Sequence, residues 1–136
     1  MMEHLLYINW LGAVLAGFAS IIIGGIWYSP FVAGKIWMKV SGFDPEKAGA
    51  PLAAMITSFI SNTVFAALLS LVLTATGAYE AGLHVVASYG LFMAIVVAAA
   101  SWQNYAFENK SIAHFLVHTG NHIVSMVAMS FILALV

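Results

Sequence analysis

Charge is what this 136-residue chain has least of: four Lys, five Asp or Glu, and no Arg, 7% of the residues in all. Ordinary globular domains carry about 25%, and a soluble domain this small could not solvate so apolar a surface. Without Arg the usual bidentate clamp for phosphate or carboxylate ligands is missing. Cys is absent as well, which excludes disulfides, thiolate metal sites, iron–sulfur clusters and Cys nucleophiles. A net charge of −1 leaves no basic face to neutralise phosphates, so nucleic acid is not an expected partner. No Gly-rich phosphate loop, nucleophile elbow, zincin motif or paired intramembrane carboxylate occurs, and no catalytic residue and no cofactor is assigned. Ser58 with His118 is the one pairing that resembles a nucleophile and its base.

What is present is hydrocarbon. The chain is 63% hydrophobic with mean hydropathy +1.02, and all nine Asp, Glu and Lys fall outside four apolar stretches: Ile8–Trp27, Leu52–Thr76, Leu83–Ser101 and Ile112–Val136. A bilayer core about 30 Å thick takes roughly 20 apolar helical residues to cross. The expected fold is therefore all-α, a single integral-membrane four-helix bundle over residues 1–136 with the lipid bilayer as its main partner. The first stretch is expected to be a retained helix, since no Lys or Arg precedes it and it outruns a signal h-region.

Lys35, Lys39 and Lys47 lie between the first and second spans, and Lys110 between the third and fourth. The positive-inside rule puts both loops in the cytoplasm and both termini outside, most simply in a bacterial cytoplasmic membrane. Within the first loop, Lys35-Ile36-Trp37-Met38-Lys39-Val40 alternates cationic and apolar residues, which predicts a short interfacial helix over about 34–42. Asp44-Pro45-Glu46 predicts the start of another. Aromatic clusters close the first span (Trp27, Tyr28, Phe31) and the third (Trp102, Tyr105, Phe107), as belts at the membrane interface do.

Small residues set the expected packing. Gly12, Ala16, Ser20 and Gly24 recur every four residues on the first span, and Ser58, Asn62, Ala66, Ser70 and Thr74 do so on the second. Such seams let helix backbones approach closely. They either pack on each other within one chain or, for the first of them, make a homo-oligomer contact.

Polar residues collect at mid-depth. At 1.5 Å per residue, His118 lies roughly 9 Å and His122 roughly 15 Å along the fourth span, level with Ser58 and Asn62 on the second. Thr57, Ser61, Asn121 and Ser125 are expected around them. His114, His118 and His122 form one stripe, open to three readings: structural hydrogen bonding, a solute or proton site, or a metal or haem site. The metal reading lacks any intramembrane carboxylate or thiolate to complete a usual ligand set. Asn104 and Glu108, at the cytoplasmic mouth of the third span, are either solvated helix-end groups or a gate below the stripe.

Trp27-Tyr28-Ser29-Pro30-Phe31, then Gly34-Lys35, Trp37-Met38-Lys39 and Gly42-Phe43, resembles a family of small microbial membrane proteins known as domain of unknown function 1761. The match continues through Asn104-Tyr105-Ala106-Phe107-Glu108 to Gly120 and His122. The resemblance implies a compact four-helix membrane fold with no assigned activity, and it picks out Trp27, Tyr28, Ser29, Pro30, Gly34, Trp37, Asn104, Glu108 and His122. His118 departs from the family pattern, where an amide or small residue is usual.

Together these positions suggest a cavity that opens at the cytoplasmic ends near Trp27, Tyr28, Asn104 and Glu108 and terminates at Asn62 and His122. It would serve a small solute, a proton or a lipid-like ligand; the rival is an accessory protein whose polar groups only lock packing. On the cavity reading, His122→Ala abolishes binding or flux and leaves the fold assembled, which chromatographic homogeneity and circular dichroism would check. A variant that simply unfolds would remove the reading's main support.

Overall fold

A computed structural model describes residues 2–47, 49 and 51–136. The elements are α1 (Met2–Leu5), α2 (Trp10–Trp27), α3 (Gly34–Ser41), α4 (Leu52–Ala75), α5 (Ala78–Ala81), α6 (Leu83–Phe107) and α7 (Ile112–Leu135). Four of them, α2, α4, α6 and α7, are long and apolar enough to cross a bilayer. They run up and down, so all four lysines fall at one end, the lysine end. The α4–α6 turn and both chain termini lie at the other.

The four long helices are arranged more as a row than as a square. α2 packs between α4 and α7, α7 packs between α2 and α6, and α4 reaches α7 lightly and α6 hardly at all. The reason is the small-residue face of α2. Gly12, Ala13, Ala16, Gly17 and Ser20 are all buried, and a side chain at Gly17 would collide with the Thr63 hydroxyl and the Phe59 ring. The seam is thus taken up inside the chain, which leaves Gly12, Ala16 and Ser20 out of reach of a second subunit. Gly24 is half-buried. A second seam, Val86, Gly90 and Ala94, is buried on α6. There a Cβ on Gly90 would come within 2.7 Å of the Met126 carbonyl oxygen, so α6 lies backbone-close on α7.

The packed core, made by Ala13, Ala16, Ala66, Ala67, Leu69, Leu73, Val86, Met129 and Leu133, occupies the half of the bundle away from the lysines. Asn9 closes that end. Its side-chain oxygen accepts from Gly12 N at 2.8 Å as the N-cap of α2, its amide donates to the Leu133 carbonyl at 3.2 Å, and its backbone N–H donates to Ser70 Oγ at 3.2 Å. One residue ties α2 to both neighbours, where lipid offers no alternative partner for these groups.

Helix ends differ from the hydropathy reading in two places. α6 continues six residues past Ser101 to Phe107, because Gln103 and Asn104 are tolerated where the helix meets the headgroups. It stops only where Asn109 takes a left-handed conformation (φ 55°). Lys110 N then donates to the Tyr105 carbonyl and Asn109 N to that of Ala106, the paired bonds of a Schellman end. Asp44-Pro45-Glu46 forms a turn, closed by Glu46 N donating to Asp44 Oδ1 at 3.0 Å, and no helix follows among the described residues before α4.

Gly17→Val should therefore destabilise by about 1–3 kcal/mol through overpacking, and Asn9→Ala by about 1–2 kcal/mol through loss of a cap and its partners. Unfolding by dodecyl sulfate in mixed micelles, followed by circular dichroism, reads both.

Candidate functional site

The aromatic block after α2 is a joint. Trp27 Nε1 donates to the Val117 carbonyl at 2.9 Å, and its ring fills the space over Gly120, where a Cβ would lie 2.5 Å from the ring. The chain then turns back. Ala33 N donates to the Trp27 carbonyl at 2.8 Å and Gly34 N to that of Ser29 at 2.9 Å, and only glycine fits at Gly34, which lies directly on the Tyr28 and Ser29 backbone. The turn launches α3 across the lysine end against α7. Trp37 lands between Tyr28 and Phe43, with ring centroids 5.2 and 4.7 Å away. Lys35 and Lys39 stay exposed.

Tyr28, the C-cap of α2, faces the histidine stripe. Its hydroxyl is 2.5 Å from His118 Nδ1, and His118 Nε2 is 3.0 Å from His114 Nε2. Burial, and secondarily the nearby Tyr105, raises the Tyr28 phenol above its ordinary pKa, so it stays an O–H. Tyr105 stands edge-on to the buried His114 ring at 5.5 Å, with the Lys110 ammonium over the Tyr105 ring at 5.3 Å.

His122 is separate. It lines a cleft of about 410 Å³ between α2, α4 and α7, together with Ser20, Tyr28, Ser58, Asn62, Asn121 and Ser125. Among the described residues neither ring nitrogen of His122 has a hydrogen-bond partner. Asn62 Nδ2 donates to the Ser58 carbonyl at 2.8 Å and to Ser58 Oγ at 3.2 Å, and among the described residues nothing donates to the Asn62 oxygen. The cleft runs from Pro51 and Tyr28 at the lysine end to mid-depth. There the packed core closes it. Its side is open because Leu52 to Thr57, the first turns of α4, are all exposed.

The residues singled out from sequence thus divide. Ser58, Asn62, Tyr28 and His122 share the cleft, and Asn121 and Ser125 join them. His118 instead turns to Tyr28 and His114, and Trp27 is engaged by α7. Thr57 and Ser61 are exposed; Thr57 Oγ1 bonds back to the Ala53 carbonyl at 2.8 Å. Asn104 and Glu108 are exposed and belong to no shared site. Glu108 pairs with Lys110 at 2.6 Å, and that hydrogen bond is the main reason the Lys110 pKa is raised. Among the described residues no three His, Asp or Glu side chains converge as metal ligands would, because His114 and His118 point at each other and His122 into the cleft. The alternative reading of His114, His118 and His122 as a shared metal centre thus finds no such grouping among the described residues. Ser20, which its four-residue spacing marks only as a seam residue, also lines the cleft. Depth counting finds it: it lies seven residues, roughly 10 Å, from the lysine end of α2 at Trp27, near the level of Ser58.

Residues 11–134 match a family described as "Protein of unknown function (DUF1761)", and the chain belongs to it. No curated protein and no solved structure matches the chain.

Adding bulk at Gly120 should dislodge Trp27: Gly120→Val is expected to cost about 1–3 kcal/mol. Glu108→Gln, at an exposed pair, should stay within about 0.5 kcal/mol of the parent. The same micelle titration separates the two.

Proposed function

We propose that this member of the DUF1761 family is a ligand-binding membrane protein, whose cleft takes a small amphiphilic molecule and meets its hydrogen-bonding group at mid-depth. The observation that carries this reading is the unpartnered imidazole of His122 in a polar cleft inside otherwise apolar helices. Intramembrane polar groups are costly and rare unless they serve a site or each other, and His122 is not spent on its neighbours. Asn62, Ser58, Asn121 and Ser125 supply further donors and acceptors, and Ile21, Ala54 and Met55 an apolar wall. The open flank along Leu52 to Thr57 offers entry from the lipid. Because the core closes the far end, binding accounts for this shape better than passage. Both lysine-bearing loops belong in the cytoplasm on this reading, so the cleft begins on the cytoplasmic side.

A second reading, a purely structural bundle, draws on Trp27, Tyr28, Gly34 and Trp37, whose contacts hold α2, α3 and α7 together. It leaves His122 without a role.

The chain has no Cys, so a single introduced thiol is a clean probe. Ser58→Cys should react with sulfonatoethyl methanethiosulfonate in inverted vesicles at least tenfold faster than Ala66→Cys in the packed half. It should be spared in right-side-out vesicles. Equal rates would overturn the cleft, and reaction only from outside would overturn the orientation.

A further inference from the structure

We propose that Tyr28, His118 and His114 form a proton-transfer path between the cleft and the lysine-bearing face of the protein. The inference rests on the cleft being a binding site, because Tyr28 is, among the described residues, the one that both lines it and bonds to the histidine pair.

His118 offers Nδ1 to the Tyr28 hydroxyl at 2.5 Å and Nε2 to His114 Nε2 at 3.0 Å. A neutral imidazole carries one N–H and one bare nitrogen. Two Nε2 atoms can approach this closely only with a proton between them. Two arrangements satisfy every contact. In the first, Tyr28 O–H donates to His118 Nδ1, His118 Nε2–H donates to His114 Nε2, and His114 keeps its proton on Nδ1. In the second the direction is reversed: His114 Nε2–H donates to His118 Nε2, His118 Nδ1–H donates to the Tyr28 oxygen, and the Tyr28 O–H points at the cleft.

One proton delivered to the cleft converts the second arrangement into the first. A base in the cleft takes the Tyr28 proton, Tyr28 takes the one on His118 Nδ1, His118 Nε2 takes the one on His114 Nε2, and His114 Nδ1 takes one from outside. Each bond to hydrogen that breaks is matched by one that forms; Tyr28, His118 and His114 all end neutral, and the proton's charge resides on the base in the cleft. His114 is in the first turn of α7, just past Lys110 and the capping Ser111, whose Oγ accepts from His114 N at 3.1 Å, so the outer end of the chain lies near the surface. The groups around it are Tyr105, edge-on to His114, with Lys110 and Glu108 beyond. Ring packing by Tyr105, Phe115 and Trp37 shields the path from water.

Nitrogen-15 spectra of histidine-labelled protein in nanodiscs test this, since protonated and bare ring nitrogens resonate far apart. The Ser58→Cys variant is modified with either the sulfonatoethyl reagent or its trimethylammonioethyl counterpart. The anionic adduct should attract the Tyr28 O–H and put the proton on His118 Nδ1; the cationic adduct should repel it and put the proton on Nε2. Tyr28→Phe, which keeps the ring, should abolish the difference, and His122→Ala should keep it. A coupling across the hydrogen bond between the two Nε2 nitrogens is expected in every variant that retains both histidines. If Ser58→Cys cannot be modified, the cleft itself fails. If it is modified and the His118 tautomer is the same with both adducts, or unchanged by Tyr28→Phe, the path is overturned and the cleft stands.

Discussion

Everything in this bundle depends on the lack of side-chain bulk along one side of α2. In lipid, hydrocarbon burial between helices gains little, because the surrounding tails are equally apolar; close van der Waals contact and shared hydrogen bonds hold the helices together. Gly12, Ala13, Ala16, Gly17 and Ser20 let α4 and α7 both reach the α2 backbone. Asn9 and Trp27 then fasten that contact at either end, through the carbonyls of Leu133 and Val117. α6, which has its own seam at Gly90, needs only α7. The row-like arrangement is what one central thin helix produces.

The same arrangement makes the cleft. α4 is held to α2 from Phe59 onward, through Phe59, Thr63 and Ser70, and diverges before it. Polar residues that would be intolerable in a packed interior gather in the space left between α4, α2 and α7. The aromatic block at the end of α2 bounds this space with Tyr28 and turns the chain into α3. Packing, turn and site are consequences of one helix's sequence.

Much of this was legible beforehand because bilayer geometry converts residue counts into depth. Counting from span ends puts Ser58, Asn62 and His122 near one depth, and all three line one cleft; apolar run lengths identify the four long helices. Helix ends were less legible: nothing in hydropathy tells that Gln103 and Asn104 continue α6, while the left-handed Asn109 that stops it depends on local hydrogen bonds. Facing direction was the other gap. His118 and His122 are four residues apart and read as one stripe, yet the drift of a real helix and the position of Tyr28 send one ring to a partner and the other into open space. The role of Asn9 was hidden for a similar reason, because two of its three bonds reach residues more than sixty positions away.

α2 is also the shortest of the four long helices. Its 18 residues rise about 27 Å, with Trp10 and Trp27 at its ends, whereas the 25 residues of α6 rise about 37 Å. The outer face of α2, with Leu11, Phe18, Ile22 and Ile26 exposed, meets lipid over a distance slightly below the usual hydrocarbon thickness of about 30 Å; the apolar part of α6 ends near Ser101, and its last turns reach into the headgroups. The bilayer beside α2 must therefore thin slightly, while the α6 flank spans it and projects into the headgroups. Membrane thickness and composition thereby become forces on α2 itself, the helix whose lysine-end residues border the cleft.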